Sequence, residues 1–377
     1  TGNLTASMPI TVDNGGLRMP VQLSAVYNAN KTEQPTGFIG TGWKLNYQMC
    51  IRENPNITAT SSDDEKRYKY YFEDGDGTQH YFYFEELTDA EGKDEDGLGL
   101  TLTVDGSVSE TNRTGVRYTI SDEKDNKWEF NGYGNLRYVR DANGNFITLT
   151  YDGITFNGDN YERLRMISDG IYRTYQLVYY SGWPNVIEYI KDPYNRQTRF
   201  NLQNGYLIKI TYPDNAFVTF SYTAAPKTLA SIVGVDGVTT AVSYTSGAIR
   251  RVSSLRRYSG TLTEESYTFD YHKNTTTVTD ISDLEYTYQF NSFGQNTGIV
   301  SEDSGEALAF SYNEGYSTSR SANRLTSASR VQKSVENYAK NAGFHTDTSQ
   351  YSLYKSVPAD ASYWSYDGAR SEEHTSE

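Results

Sequence analysis

The stretch YVRDANGNFITLTYDG, Tyr138 to Gly153, sets an Asp and an Asn-Gly-Asn between two runs that alternate apolar and polar residues. Alternation with a period of two marks a half-buried strand. Asp and Asn side chains bond nearby backbone N–H groups and Gly accepts positive φ, so Asp141 to Asn145 reads as a turn between two strands. The stretch is an isolated hairpin, a calcium loop, or one copy of a repeat. Working outward separates these. Aspartates stand at Asp169, Asp192, Asp214, Asp236, Asp280 and Asp303, at intervals of 23, 22, 22, 44 and 23. The 44 spans two periods, and the skipped position, Tyr258-Ser259-Gly260, keeps the turn and loses the acid. An aromatic follows four of these acids after eight residues, at Phe200, Tyr222, Tyr244 and Tyr288.

Parity shows what each unit is. After Asp214, Val218, Phe220 and Tyr222 share one face while Thr219 and Ser221 take the other; Tyr286, Tyr288 and Phe290 repeat this after Asp280. The return run GYLIKITY alternates too, which places Tyr206, Ile208, Ile210 and Tyr212 on one side. Two strands of about five to seven residues and two turns of about three to five fill such a period. The stretches KDPYNRQ, YPDNAF and NSFGQN are the turns. A lone hairpin is marginal in water, so successive hairpins must pair laterally to bury a face. The expected fold is all-β. A propeller with a blade of two periods is the competing architecture, but the chain has no Gly-His…Trp-Asp signature.

The recurring order, an Asp after an apolar strand and a Tyr closing the next, resembles the YD repeats of Rhs and wall-associated proteins. Such repeats also occur in the C components of Tc toxins and in teneurins. The opening is similar as well: TGNLTASMPI, GLRMPVQLSAVYNAN and GFIGTGWKLNY, with a Gly-x-Gly-Trp at Gly40, Gly42 and Trp43. The resemblance spans roughly residues 1 to 330. It implies antiparallel hairpins in a long curved, spiralling sheet, a partial β-shell. It also implies a secreted or cell-surface, wall-associated bacterial protein whose shell encloses a C-terminal cargo or toxin. The self-cleaving aspartates of some relatives belong to the far end of the repeats, and no stretch here matches them.

Four regions follow. Residues 1–135 form a β-rich opening region and 136–320 the repeat sheet. Residues 321–369 hold a linking helix, with Val331, Val335 and Tyr338 at helical spacing, and the start of a truncated module. That start, NYAKNAGFHTDTSQYSLYKS, resembles the Asn-x-x-Phe opening of carbohydrate-binding jelly rolls, with His345 in place of the usual acid and Tyr351 in place of the usual Trp. Residues 370–377, RSEEHTSE, resemble the translation of a common sequencing adapter and are set apart from the fold, so the natural chain is expected to continue past 369.

Composition narrows the function. Tyr contributes 34 residues, which suits a pleated, half-wet surface. A net charge of −14 repels phosphate backbones and anionic membranes, so nucleic acid is not an expected partner. No apolar run approaches the ~20 residues of a membrane span. The single cysteine, Cys50, makes no internal disulfide and reads as a buried hydrophobe.

No catalytic, cofactor-binding or metal-binding residue is assigned. Asp141, Asn143 and Asn145 occupy positions one, three and five of a window ending at Asp152, but a calcium loop needs Gly at position six, where Phe146 stands, and a final Glu. Asp74 to Gly77 is similarly incomplete. His80, His272 and His345 fall in no nucleophile or zinc motif. Trp43 and Trp128 read as core, and Trp183, in a loop, is the first to test for ligand contact. The functional expectation is a non-enzymatic shell segment whose partners are other parts of its own longer chain. The alternatives are an adhesin that binds cell-surface glycans and a glycoside hydrolase, which would need a cleft with a raised-pKa carboxylate beside a second acid.

Overall fold

The structure, a computed structural model, describes residues 2–12, 19–31, 39–156, 158–224, 227–247, 250–291, 294–312, 325–333, 354–356 and 363–365. Its regular elements are almost all strands. Among the described residues the single α-helix is one turn, α1 (Asp63–Lys66), whose capping box joins Ser62 and Glu65. The fold is all-β and built of antiparallel hairpins pairing side by side. The chain forms two compact units, Thr1–Thr239 and Thr240–Glu377. The sequence boundary at 135/136 therefore falls inside the first unit, which holds the opening region together with the early repeats.

The first unit begins with a three-stranded antiparallel sheet of β1 (Thr5–Val12), β2 (Gln22–Asn28) and β3 (Trp43–Leu45). A second sheet starts at β4 (Cys50–Glu53), β5 (Tyr70–Glu73), β6 (Gln79–Tyr83) and β7 (Glu91–Asp94). It continues through β8 (Thr101–Val104), β9 (Tyr118–Ser121), β10 (Lys127–Phe130) and β11 (Leu136–Arg140). Each strand pairs antiparallel with the next.

These eight strands curl back on themselves. Ile51 N–H donates to Gly134 O at 2.8 Å, and Cys50 forms a β-bridge with Asn135. Arg52 fastens the contact, donating through Nη1 to Tyr133 O at 2.8 Å and through Nη2 to Asn135 Oδ1 at 2.9 Å. Only glycine fits the turn at 134, where φ is +71° and a Cβ would lie 2.1 Å from Ile51 O. Inside the curl Phe72 meets Phe130 edge-on at 5.9 Å, and Phe82, Phe84, Leu102 and Ile120 are fully buried.

The repeats continue the sheet with β12 (Phe146–Phe156), β13 (Asp159–Ser168), β14 (Thr174–Tyr179) and β15 (Ile187–Lys191). Then come β16 (Gln197–Gln203), β17 (Tyr206–Thr211), β18 (Phe217–Tyr222) and β19 (Leu229–Val233), all paired in chain order. Each hairpin carries a bulge. The register slips between Thr150/Tyr151, Val178/Tyr179, Asn201/Leu202 and Ser221/Tyr222, leaving one extra residue on the return strand.

A bulge breaks the period of two, so buried residues of the return strands come three apart: Leu164 and Ile167, Ile187 and Ile190, Leu207 and Ile210. This corrects the reading of GYLIKITY. Ile208 is the bulged residue and Leu207 takes the buried place. The outgoing strand follows simple parity, with Val218 and Phe220 buried and Ser221 exposed.

The boundary between the units falls at the first residue of β20 (Thr239–Tyr244), and the second unit goes on with β21 (Val252–Ser259), β22 (Leu262–Tyr271) and β23 (Thr275–Thr279). It also holds β24 (Glu285–Phe290), β25 (Asn296–Ser301), β26 (Glu306–Tyr312) and β27 (Leu325–Lys333). From β21 onward the strands pair in chain order, and β27 also receives β28 (Tyr354–Ser356) and β29 (Tyr363–Ser365). Over 325–333 the expected linking helix is replaced by this strand, which pairs with β26 from Leu325 to Gln332. Of the three residues at helical spacing, Val331 lies in this strand, opposite Ala307. Val335, Tyr338, the segment with His345 and Tyr351, and the final RSEEHTSE lie outside the described residues.

Candidate functional site

The residues that define the repeat have identifiable partners. Asp169 Oδ1 accepts the N–H groups of Ile171 at 3.0 Å and Arg173 at 2.9 Å, while Oδ2 takes Arg173 Nε at 2.8 Å. Asp192 repeats this with Tyr194, Arg196 and Arg196 Nε. Asp141 does so with Asn143 and Asn145, and Asp280 with Ser282 and Leu284. One carboxylate oxygen thus closes a five-residue turn. Asp214 and Asp236 sit two places later in their turns, where Tyr212 and Gly234 hold the first position, and each accepts one N–H, from Ala216 and Val238.

The tyrosines act across the sheet. Tyr151, Tyr222, Tyr271 and Tyr312 donate their hydroxyls to the carbonyls of Leu136, Leu207, Val252 and Asn296 at 2.7–2.8 Å, and Tyr179 does the same to Leu164. Leu136, Leu164, Leu207 and Asn296 each directly precede a bulge, where the ladder leaves a carbonyl in need of a donor. The acid therefore makes the turn, and the tyrosine latches the strand after a turn to the strand before it.

The first sheet packs on the face that the early repeats bury. Trp43, 1% exposed, lies edge-on to Phe220 at 4.7 Å and donates Nε1–H to Tyr222 Oη at 2.8 Å. Tyr27 Oη accepts Leu229 N–H at 3.0 Å, and Thr41 N–H donates to Gly205 O at 2.9 Å. The two glycines of the Gly-x-Gly-Trp run permit this approach. A Cβ at Gly40 would meet Leu207 N at 2.9 Å, and one at Gly42 would meet the Tyr27 ring at 2.6 Å. Burying an indole of roughly 200 Å² contributes about 5 kcal/mol.

Beside Trp43 a cavity of about 230 Å³ lies where β2, β3, β4 and the β5–β6 turn meet the early repeats. Glu73 bridges Lys31 at 2.8 Å and Lys44 at 3.1 Å. Glu162, its side chain 3% exposed, accepts Asn131 Nδ2 at 2.8 Å and Asn135 Nδ2 at 2.9 Å. Cys50 lines the space, and burial pushes its thiol up. Both carboxylates already accept donors that tie separate elements together. The arrangement is a polar joint between the first sheet, the curl and the repeats.

A second polar joint, absent from the sequence reading, centres on His80. Its Nδ1 lies 2.7 Å from Asp96 and its Nε2 3.2 Å from Asp74. Burial opposes the imidazolium, but the two carboxylates outweigh it and raise His80 to about 9. Asp74 also pays a burial penalty, outweighed by the bonds from His80 and Asp76, and falls to about 2. Lys44 Nζ donates to Asp74 O and Asn28 Nδ2 to Asp76 O, so this turn also docks the first sheet.

The other residues weighed from sequence fall as follows. Asp152 pairs with Arg165 at 3.3 Å and sits about 20 Å up β12 from the turn at Asp141, at about 3.3 Å per residue. No group of three or more His, Cys, Asp or Glu suited to a metal occurs among the described residues. His272 faces Asp270 at 3.4 Å on an exposed turn. Trp128 is half-buried rather than core, and Trp183 is 49% exposed beside Tyr180. Burial raises Asp94 and Glu95, but Asp94 accepts Leu98 and Leu100 N–H within its own turn and Glu95 takes the Tyr68 hydroxyl. Among the described residues no helix is long and apolar enough to cross a membrane.

No protein-family model and no curated protein matches the sequence. Solved structures do. The Tc holotoxin pore of Photorhabdus luminescens, with a mutated TccC3, is similar over 75% of this chain and 20% of its own, at 11% identity and a TM-score of 0.34. The TcdB2–TccC3 crystal structure is similar over the same shares, at 11% identity and a TM-score of 0.29. A porin-like protein from Bacteroides uniformis is similar over 63% of this chain and 86% of its own, at 10% identity and a TM-score of 0.24. The chain spans about a fifth, 20%, of the Tc structures.

Proposed function

We propose that this chain is a non-enzymatic structural segment of a YD-repeat shell of the Rhs type, in a secreted or cell-surface bacterial protein. Its partners are other parts of its own longer chain, a C-terminal effector or cargo that the shell encloses or displays. One observation carries this reading: acids such as Asp169 and Asp192 close turns, and tyrosines such as Tyr151 and Tyr222 latch adjacent strands. A repeat whose signature residues serve turns and strand pairing extends a wall.

The test is protection. The longer natural chain is treated with trypsin, with and without Tyr151→Phe/Tyr179→Phe/Tyr222→Phe. A sheltered segment survives in the native chain and is cut faster once the latches are lost. Equal cleavage of the following segment in both proteins would falsify the proposal.

A further inference from the structure

A groove of about 470 Å³ opens within the first unit, between the turns Asp192–Arg196 and Tyr212–Ala216. Two tyrosines and two prolines form its walls: Tyr194, 71% exposed, stands with Pro193 on one side, and Tyr212 with Pro213 on the other. Both walls are held in place. Tyr212 donates its hydroxyl to Pro9 O at 3.0 Å, and Asp192 fixes its turn by accepting the N–H groups of Tyr194 and Arg196. Where the groove meets β1, Thr11 Oγ1 is buried with no hydrogen-bond partner among the described residues.

Donors and acceptors decide what fits. A peptide that adds as a β-strand needs main-chain N–H groups to bond. Those of Tyr194, Arg196, Asn215 and Ala216 are taken inside the turns, and Pro193 and Pro213 have none. The groove instead offers side-chain donors: the Thr11 hydroxyl and the guanidinium of Arg196, whose Nε holds Asp192 at 2.6 Å and which carries further N–H groups. Such a site calls for a ligand that presents carbonyls and few N–H groups.

A proline-rich segment meets that requirement. In its polyproline II form the backbone accepts without donating, the rings pack on aromatic walls, and little freedom is lost on binding. Its pitch fits as well. Three residues advance about 9.3 Å, and neighbouring turns on this edge of the sheet stand two strands, roughly 9.5 Å, apart. Every third side chain therefore reaches a new gap, and the preceding turn extends the surface with Tyr172, 80% exposed. Charge selects the flank: the chain carries −14, and Asp214, lining the groove on an exposed turn, accepts one N–H, from Ala216. We propose that this groove binds a proline-rich segment in the polyproline II conformation with a basic residue beside it. Tyr194 and Tyr212 receive its rings, Thr11 and Arg196 donate to its carbonyls, and Asp214 meets the basic flank.

This site is independent of the shell reading, and either can fail alone. Calorimetric titration of the full chain with a nonaproline peptide carrying one flanking arginine tests it. The controls are a glycine–serine peptide of equal length with the same arginine, and the nonaproline with glutamate in place of arginine. Saturable binding of the arginine-flanked nonaproline is expected, about tenfold or more tighter than the glycine–serine peptide and tighter than the glutamate-flanked one. Tyr194→Ala and Thr11→Val each weaken it about tenfold. Thr11→Val also leaves the thermal midpoint unchanged or higher, because it removes a buried hydroxyl that has no partner while keeping the side chain's shape. Absence of binding at millimolar peptide overturns the proposal, as does binding that the glycine–serine peptide matches, that prefers the glutamate flank, or that both substitutions leave intact.

Discussion

Tyr222→Phe removes one oxygen from the centre of the first unit and leaves its volume almost unchanged. That oxygen donates to Leu207 O at 2.7 Å and accepts Trp43 Nε1–H at 2.8 Å. Trp43 is 1% exposed and Leu207 0%, so neither freed group gains ready access to water. Each lost bond contributes about 1 kcal/mol net, and a buried group left without a partner costs about 1–3 kcal/mol. The substitution should therefore cost about 2–4 kcal/mol. Tyr312→Phe is the internal control, since Tyr312 makes the same latch to Asn296 O in a half-exposed setting and should cost about 1 kcal/mol or less. Urea unfolding followed by tryptophan fluorescence gives both values, provided the m-value is unchanged. A double-mutant cycle with Trp43→Phe should show coupling of about 1–2 kcal/mol. A loss below about 0.5 kcal/mol for Tyr222→Phe, or one no larger than for Tyr312→Phe, would show that the tyrosine is not the latch inferred from the geometry.

Other outcomes follow from the same bonds. Asp169→Ala removes an acceptor for three donors at a site 1% exposed and should cost about 3 kcal/mol, whereas Asp214→Ala, which loses one N–H bond on an exposed turn, should cost under about 1 kcal/mol; equal losses by denaturant titration would contradict the turn frame. His80 is raised to about 9 from an unfolded value of 6.5, so its contribution is fully present below pH 6.5 and disappears as pH rises through about 9; Asp74, lowered to about 2 from 3.8, contributes above 3.8 and loses this as pH falls through about 2. Stability measured against pH should lose the alkaline fall in His80→Asn, and an unchanged profile would refute the assignment. Gly134→Ala places a Cβ 2.1 Å from Ile51 O at positive φ and should cost about 3 kcal/mol, with faster maleimide labelling of Cys50 as its bridge to Asn135 opens. Unaltered labelling would mean that the curl closes without this contact.

Local chemistry was legible in the chain because it is written within a few residues. Period-two alternation gives strands, Asp with Gly or Asn gives turns, and their recurrence gives an all-β array; Val218 and Phe220 turn inward as their parity requires. The Gly-x-Gly-Trp run could be seen but not interpreted, since Gly40 faces a hairpin more than 160 residues away, at Gly205 and Leu207, and Gly42 faces the ring of Tyr27 on the neighbouring strand. The bulges escaped notice because one unpaired residue turns a two-residue period into a three-residue step, which moved Leu207 to the buried face in place of Ile208. His80 had no motif around it, and its partners Asp74 and Asp96 are joined only when strands β5 to β7 lie side by side. The sequence by itself determined hairpins, turns and their repetition, which depend on backbone preferences and side-chain alternation. Tertiary structure decided register, the curl of the first strands and the docking of the first sheet, because each depends on which distant carbonyl a hydroxyl, an indole or an amide meets once water is excluded.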